Sequence, residues 1–274
     1  MRISIAAATC GLLLAACTPA GNTTASNPTA EASALAIDGV YKADVASAKL
    51  STKPDVFTVK DGEYDCPSCT PPFKIATDGK PHPVAGRDYW DAAAVKIVDP
   101  TTIEITRYRK GAAVGSTKTV VSADGQMLTF TSTSADNAEG KSVTNTFKSK
   151  RTGPAPAGAH AVSGTWLGVT DGAQLADEAI TATISVKGDV VSQKFPTGEH
   201  YEATLGGPQV PLVGDKAGTT IAVVREGNGF KETDYVGGKA VAEYTYVVID
   251  DKTLTMKMNN LKSGTTEEYT IRKQ

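Results

Sequence analysis

The residues that could do chemistry are few and widely spaced. The chain of 274 residues carries four Cys and three His. Cys66-Pro67-Ser68-Cys69 is its one C-x-x-C pair. Such a pair can be a disulfide staple, a redox-active dithiol or half of a zinc site. Redox work needs an acidified attacking thiol, usually at a helix N-terminus. Here the chain continues Thr70-Pro71-Pro72-Phe73, a poor helix start. Zinc would need two further ligands, and the nearest His, His82, lies in a Pro-flanked turn. A disulfide between Cys66 and Cys69, holding a Pro-rich loop, is the expectation.

The other candidates are weaker. His160 sits in a Pro/Ala/Gly stretch and His200 follows Glu199 at a turn. No G-x-S-x-G elbow, H-E-x-x-H, P-loop, dinucleotide fingerprint or EF-hand loop is present. Asp88 and Asp91 flank Tyr89-Trp90 and read as turn formers rather than a carboxylate pair. Glu226-Gly227-Asn228-Gly229 reads as a tight hairpin turn rather than a phosphate cradle. No catalytic residue, metal or cofactor is expected, and the chain does not read as an enzyme. The binding candidates are His82, Tyr89 and Trp90. Adjacent aromatics on a strand point to opposite faces, so one of the pair would turn inward and the other would meet solvent or a second domain.

The elements that must position these residues are strands. Gly and Pro punctuate the chain, aromatic content is 6%, and Thr and Val are abundant, which favours strands and turns. Thr102 to Tyr108 alternates cleanly, Lys110-Gly111 turns the chain, and Val114 to Val121 returns. Ala123-Asp124-Gly125, Lys187-Gly188-Asp189 and Gly237-Gly238 are further hairpin signals. Gln174 to Ala179 could form one helical turn.

The chain also repeats itself. Gly39-Val40-Tyr41 matches Gly164-Thr165-Trp166 at an offset of 125. The segment Gly79 to Gly86 matches Gly207 to Gly214, and Val120 to Thr129 matches Tyr246 to Thr255, at nearly the same offset. The expected domains are therefore 35–151 and 161–274, joined by a linker over 152–160. Each would be an antiparallel meander, closed into a barrel to remove its edges. A pair of β-sandwiches is the alternative all-β arrangement.

The N-terminus carries a different kind of information. Met1-Arg2 precedes a mostly apolar stretch from Ile3 to Leu14, too short to span a bilayer as a helix. It ends Leu14-Ala15-Ala16-Cys17, which resembles the lipobox of bacterial lipoproteins. The resemblance implies that residues 1–16 are a cleaved export signal and that Cys17 is lipidated. Residues 17–34, rich in Thr, Ala, Asn, Ser and Pro, lack an apolar period and read as a flexible tether. Thr18 after the Cys, rather than Asp, implies by the same resemblance the outer membrane, facing the periplasm, in a Gram-negative cell. The formal charge is −2 over the whole chain. Removing residues 1–16 takes away only Arg2, so the exported part is more negative by one. There is no basic stripe for nucleic acid and no amphipathic basic helix for a membrane surface. Membrane attachment rests on the lipid.

Two further resemblances bear on the folded part. A G-x-W on the first strand with a cation on the last is similar to lipocalins and related small barrels. The residues are Gly164, Trp166 and Arg272 in the second copy, and Gly39, Tyr41 and Lys148 in the first, which departs in having Tyr and in carrying Arg151 near the linker. The resemblance implies an aromatic plug at the closed end with a cation stacked across it. The whole exported chain also resembles a group of bacterial secreted proteins and lipoproteins. That rests on Tyr64-Asp65-Cys66-Pro67-Ser68-Cys69, Asp78 to Gly86, and Pro196-Thr197-Gly198-Glu199. It implies the two-part organisation and no particular activity. The expected function is an envelope-anchored protein binding a small apolar or lipid-like ligand. The alternative is a structural or interaction lipoprotein with solid barrels.

Overall fold

The computed structural model describes Leu35 and residues 37–274. The expected export signal (1–16) and the lipidated Cys17 with its tether (17–34) lie outside the described residues. The first half holds β1 (Asp38–Lys49), β2 (Asp55–Lys60), β3 (Glu63–Cys66), β4 (Phe73–Ala76), β5 (His82–Pro83), β6 (Ala92–Asp99), β7 (Thr102–Arg109), β8 (Ala112–Val121), β9 (Met127–Ser134) and β10 (Val143–Gly153). The second holds β11 (Gly164–Gln174), α1 (Asp177–Ile180), β12 (Thr181–Lys187), β13 (Val190–Lys194), β14 (His200–Thr204), β15 (Val210–Pro211), β16 (Thr220–Glu226), β17 (Gly229–Val236), β18 (Lys239–Val248), β19 (Thr253–Asn260) and β20 (Thr265–Lys273).

The strands form two ten-stranded antiparallel sheets, each curled into a nearly closed barrel. Sandwiches are not formed. The hairpins turn where glycine permits: Lys110-Gly111 has φ of 50° and 82°, and Gly237-Gly238 has 57° and 75°, as a two-residue type I′ turn requires. The sheet edges meet through short bridges. In the first barrel, Gly79 N–H donates to Val95 O at 3.0 Å. In the second, His200 and Val213 exchange backbone hydrogen bonds of 2.9 and 3.1 Å.

The two copies trade their first strands. β1 lies between β12 and β20, with Tyr41 opposite Ala182 on one side and Lys273 on the other. β11 lies between β10 and β2, with Trp166 opposite Arg151 and Asp55. The first barrel is therefore β2 to β11, contiguous in sequence, and the second is β12 to β20 plus β1. This corrects the boundaries 35–151 and 161–274 by one strand each. Residues 152–160 do not join the domains; they run from the end of β10 to β11 within the first barrel. The chain instead crosses between barrels at 50–54 and at 175–180. The reason is geometric: β10 can pair with β11 through a local connection, which leaves β1 as the strand available to close β12 on β20.

The barrels also touch through side chains. The loop after β9 docks on the Pro196-Thr197-Gly198-Glu199 turn, with Ala138 N–H donating to Glu199 Oε1 at 3.2 Å and Glu139 N–H to Thr197 O at 3.2 Å. Gly198 and Gly214 are left-handed, with φ of 96° and 87°. A Cβ on Gly214 would lie 2.6 Å from Ala138 Cβ, so glycine there admits the loop. Lys262 pairs with Asp88 at 2.5 Å and Lys141 with Glu178 at 2.5 Å.

Candidate functional site

Strand alternation sends one face of each strand into its barrel. In the second barrel those positions carry large side chains: Phe230 on β17, Tyr244 and Tyr246 on β18, Met256 and Met258 on β19, and Tyr269 and Ile271 on β20, all buried in one cluster. Phe230 and Tyr246 stack with centroids 4.6 Å apart. A polar set sits among them, with Gln193 Nε2 and Tyr201 O–H both donating to Glu232 Oε2, at 2.9 and 2.7 Å. The space beside Tyr41 at one end amounts to about 40 Å³.

The first barrel differs at matching positions. The ladders pair Thr119 with Phe130 in one barrel and Tyr246 with Met256 in the other, and Leu128 with Ser149 where the second has Leu254 with Ile271. In this register Thr117, Thr119, Ser132 and Ser149 stand where the second barrel has Tyr244, Tyr246, Met258 and Ile271. Smaller side chains leave a cavity of about 310 Å³. Its apolar wall includes Phe57, Tyr64, Ile103, Ile105, Phe130 and Phe147. Phe57 lies 5.9 Å from Tyr64 and 6.5 Å from Phe130, centroid to centroid. Gly168 on β11 faces in without a side chain. Val45, Ala48 and Leu50, at the end of β1 and in the crossing after it, complete the cavity, together with Glu267 from β20. The second barrel thus helps to close the first.

Arg107 is the charged inward residue on β7 in this cavity, where the second barrel has Asp234. It donates to Thr117 Oγ1 and Ser132 Oγ, both at 3.2 Å. Among the described residues no carboxylate forms an ion pair with it, and burial lowers its pKa, although a guanidinium stays charged. Glu267 is buried and accepts a short hydrogen bond from Tyr269 O–H. Burial raises its pKa to about 7.

The closed end carries the expected aromatic plug with a different cation. Trp166 is fully buried, donates from Nε1 to Val162 O at 2.9 Å, and lies under the Arg151 guanidinium at 4.0 Å. Arg151 also donates to Gly125 O, Ser163 O and Ala161 O. In the second barrel the matching cation is Lys273, opposite Tyr41. Arg272 is not the plug. With Ile271 turned inward, Arg272 faces out, 3.7 Å from Asp44. Lys148, outward between Phe147 and Ser149, lies instead against Gly172. The glycine of each G-x-aromatic has its own explanation. Gly164 and Gly39 have φ of 137° and 148°, and a Cβ would lie 2.5 Å from Arg151 Nη1 in one and 2.6 Å from Lys273 Cε in the other. The glycine makes room for the cation.

Cys66 and Cys69 form the expected disulfide and border the cavity. Ser68 ties their loop to β2, accepting from Val56 N–H at 2.7 Å and donating to Val56 O at 2.9 Å. Arg87 donates to Thr70 O and Pro71 O, and its guanidinium lies 5.1 Å from the rings of both Phe73 and Trp90. The two motifs around residues 66 and 86 therefore meet, as a clamp on the barrel wall.

The three proposed binding residues do not converge. Tyr89 and Trp90 lie in the loop between β5 and β6, not on a strand, so strand alternation does not govern them. Trp90 packs beside Phe73 on the first core. Tyr89 is exposed and its O–H lies 3.4 Å from Thr219 Oγ1 of the second barrel. His82 Nε2 bonds Asp78 Oδ1 at 2.8 Å. None of the three lines the cavity. Sequence reading missed Arg107 and the small residues around it; aligning the two copies hairpin by hairpin and comparing inward columns would have found them.

No known protein-family model matches the chain, and no curated protein sequence is significantly similar to it.

Proposed function

We propose that this is an envelope-anchored lipoprotein whose first barrel holds a small apolar or lipid-like molecule, with the second barrel as its packed support. The observation that carries this is the difference between two barrels of one repeat. Thr and Ser replace Tyr, Met and Ile at inward positions, which leaves a mainly apolar cavity of about 310 Å³ within the range of small-molecule sites. A barrel needing only stability would be filled by its own side chains, as the second one is. The anchor at Cys17 rests on the lipobox resemblance. Among the described residues no helix is long and apolar enough to cross a membrane.

Native mass spectrometry of the exported chain tests the ligand reading. One bound small molecule per chain is expected, absent from Gly168→Leu. A Cβ at Gly168 meets only Leu50 Cδ1, at 3.5 Å, so the larger side chain enters the cavity with little strain. An empty wild-type barrel that also takes up no added lipid would leave the structural reading in its place. Cys17→Ser should shift the protein from the detergent phase to the aqueous phase; a chain partitioning unchanged would refute the anchor.

A further inference from the structure

We infer that the molecule held by the first barrel is an amphiphile with an anionic end, a carboxylate or phosphate, bound by Arg107 with Thr117 and Ser132 while its apolar part lies against Phe57, Ile103 and Phe130. This rests on the ligand-binding reading above and goes on to name the ligand's chemistry.

The arginines drawn into the structure differ in what surrounds them. Arg151 donates to three backbone carbonyls at 2.6–2.8 Å. Arg87 donates to two carbonyls. Arg109 forms a two-pronged pair with Asp136. Arg107 has two hydroxyls at 3.2 Å, and among the described residues no carbonyl or carboxylate accepts from it. A guanidinium has five N–H donors, so most of its capacity is unused. Arg107 is half-buried, and a cation partly withdrawn from water is stabilised by a counter-charge on its free donors. Two acids, Asp55 and Glu267, also line the cavity; Glu267 accepts from Tyr269, and neither carboxylate figures among the causes that shift Arg107.

The placement supplies the rest. Arg107 shares its strand face with Ile103 and Ile105, so charge and apolar wall lie along one line of the cavity. Thr117 Oγ1 lies 3.3 Å from Ser132 Oγ. Both hydroxyls can rotate to donate to an anion bound on the guanidinium fork, whose geometry suits two oxygens of a carboxylate or phosphate. The corresponding position in the filled barrel, Asp234, has the opposite charge, so the cation belongs to the cavity rather than to the repeat.

The test uses the full exported chain with Cys17→Ser, which needs no detergent, titrated calorimetrically with decanoate, decyl phosphate, decanol and inorganic phosphate. Decanoate or decyl phosphate should bind at least about tenfold more tightly than decanol, the size expected of a charge-assisted hydrogen-bonded pair. Arg107→Met should abolish that preference while leaving decanol affinity within about threefold. Arg107→Gln serves the same purpose if the Met variant does not fold. Equal binding of decanoate and decanol, both lost in Gly168→Leu, would overturn the anionic end and leave the ligand reading standing. Inorganic phosphate binding as tightly as decyl phosphate would mean that a free anion is recognised without a tail, and would overturn the amphiphile. Failure of all the decyl compounds to bind would overturn both readings.

Discussion

Replacing Tyr41 with Ala tests which barrel owns the first strand. Tyr41 belongs to the first sequence copy, yet only 2% of it is exposed and it packs in the second core, with Ile184, Tyr246, Met256 and Ile271 around it. Removing a buried aromatic costs about 3–5 kcal/mol. The upper half of that range applies here, because β1 is hydrogen-bonded on both sides and the backbone has little freedom to collapse into the void. About 4 kcal/mol corresponds to a change near 10³-fold in an opening equilibrium. Hydrogen exchange read by mass spectrometry on peptides localises the effect. Peptides from 181–273 should lose protection by about that factor, and peptides from 55–174 should change far less. Trp166→Ala should do the reverse. If Tyr41→Ala deprotects 92–151 and spares 181–273, the strands are not exchanged and the domain assignment fails.

Other expectations follow from single residues. Glu267 has its pKa raised to about 7 in the folded chain, against about 4.3 when unfolded. The folded state then holds the extra proton between those values, so the Glu267 contribution is full below about pH 4 and declines as pH rises to about 7. Urea midpoints should show part of the stability lost across that window, and Glu267→Gln should flatten it, by an amount on the order of 4 kcal/mol at most; an unchanged pH profile would refute the assignment. Gly164→Ala should destabilise by about 1–3 kcal/mol through its strained φ alone, with more from displacing Arg151; calorimetric melting showing no loss would refute the close approach. Cys66→Ser with Cys69→Ser should cost about 2 kcal/mol, the loop entropy of so short a ring, and thiol titration of the unfolded, unreduced wild type should find neither of these two cysteines free.

Much of this architecture was written in local pattern. Lys110-Gly111 and Gly237-Gly238 mark hairpins because few other residue pairs adopt their φ values, and Thr102 to Tyr108 alternates because one face is inside. The Cys66–Cys69 pair followed from the C-x-x-C spacing and the Pro-rich sequence after it. The strand exchange was hidden by the repeat itself. Gly39-Val40-Tyr41 and Gly164-Thr165-Trp166 are near-equivalent, so either could close either barrel, and the choice rests on which connection is short. The cation beside the plug differs by one residue from the expected one, and in a strand one residue reverses the face: Arg272 faces Asp44, while Lys273 stands opposite Tyr41 with its stem against Gly39. Arg107 was invisible for a related reason. Alternation alone makes it one more polar residue on a strand, and only the register against β8 and β9 brings Thr117 and Ser132 to it. Tyr89 and Trp90 drew attention as aromatics, but they serve contacts between parts of the fold.

The position of β1 has a mechanical consequence. The segment before β1 is tied into the second core by Leu35 and Ile37, and β1 is flanked by strands on both sides. A pull on that segment acts along the strand and loads the ladders to β12 and β20 in shear, so their hydrogen bonds resist together rather than opening one by one. The force is taken up by the filled barrel. Most of the cavity wall, in residues 55–174, lies off that load path, while Val45 and Ala48 of β1 and Glu267 of β20 close the cavity from the loaded strands. A pull at the N-terminal side of β1 would be borne mainly by the barrel filled with large side chains, and would reach the cavity only where β1 and β20 close it.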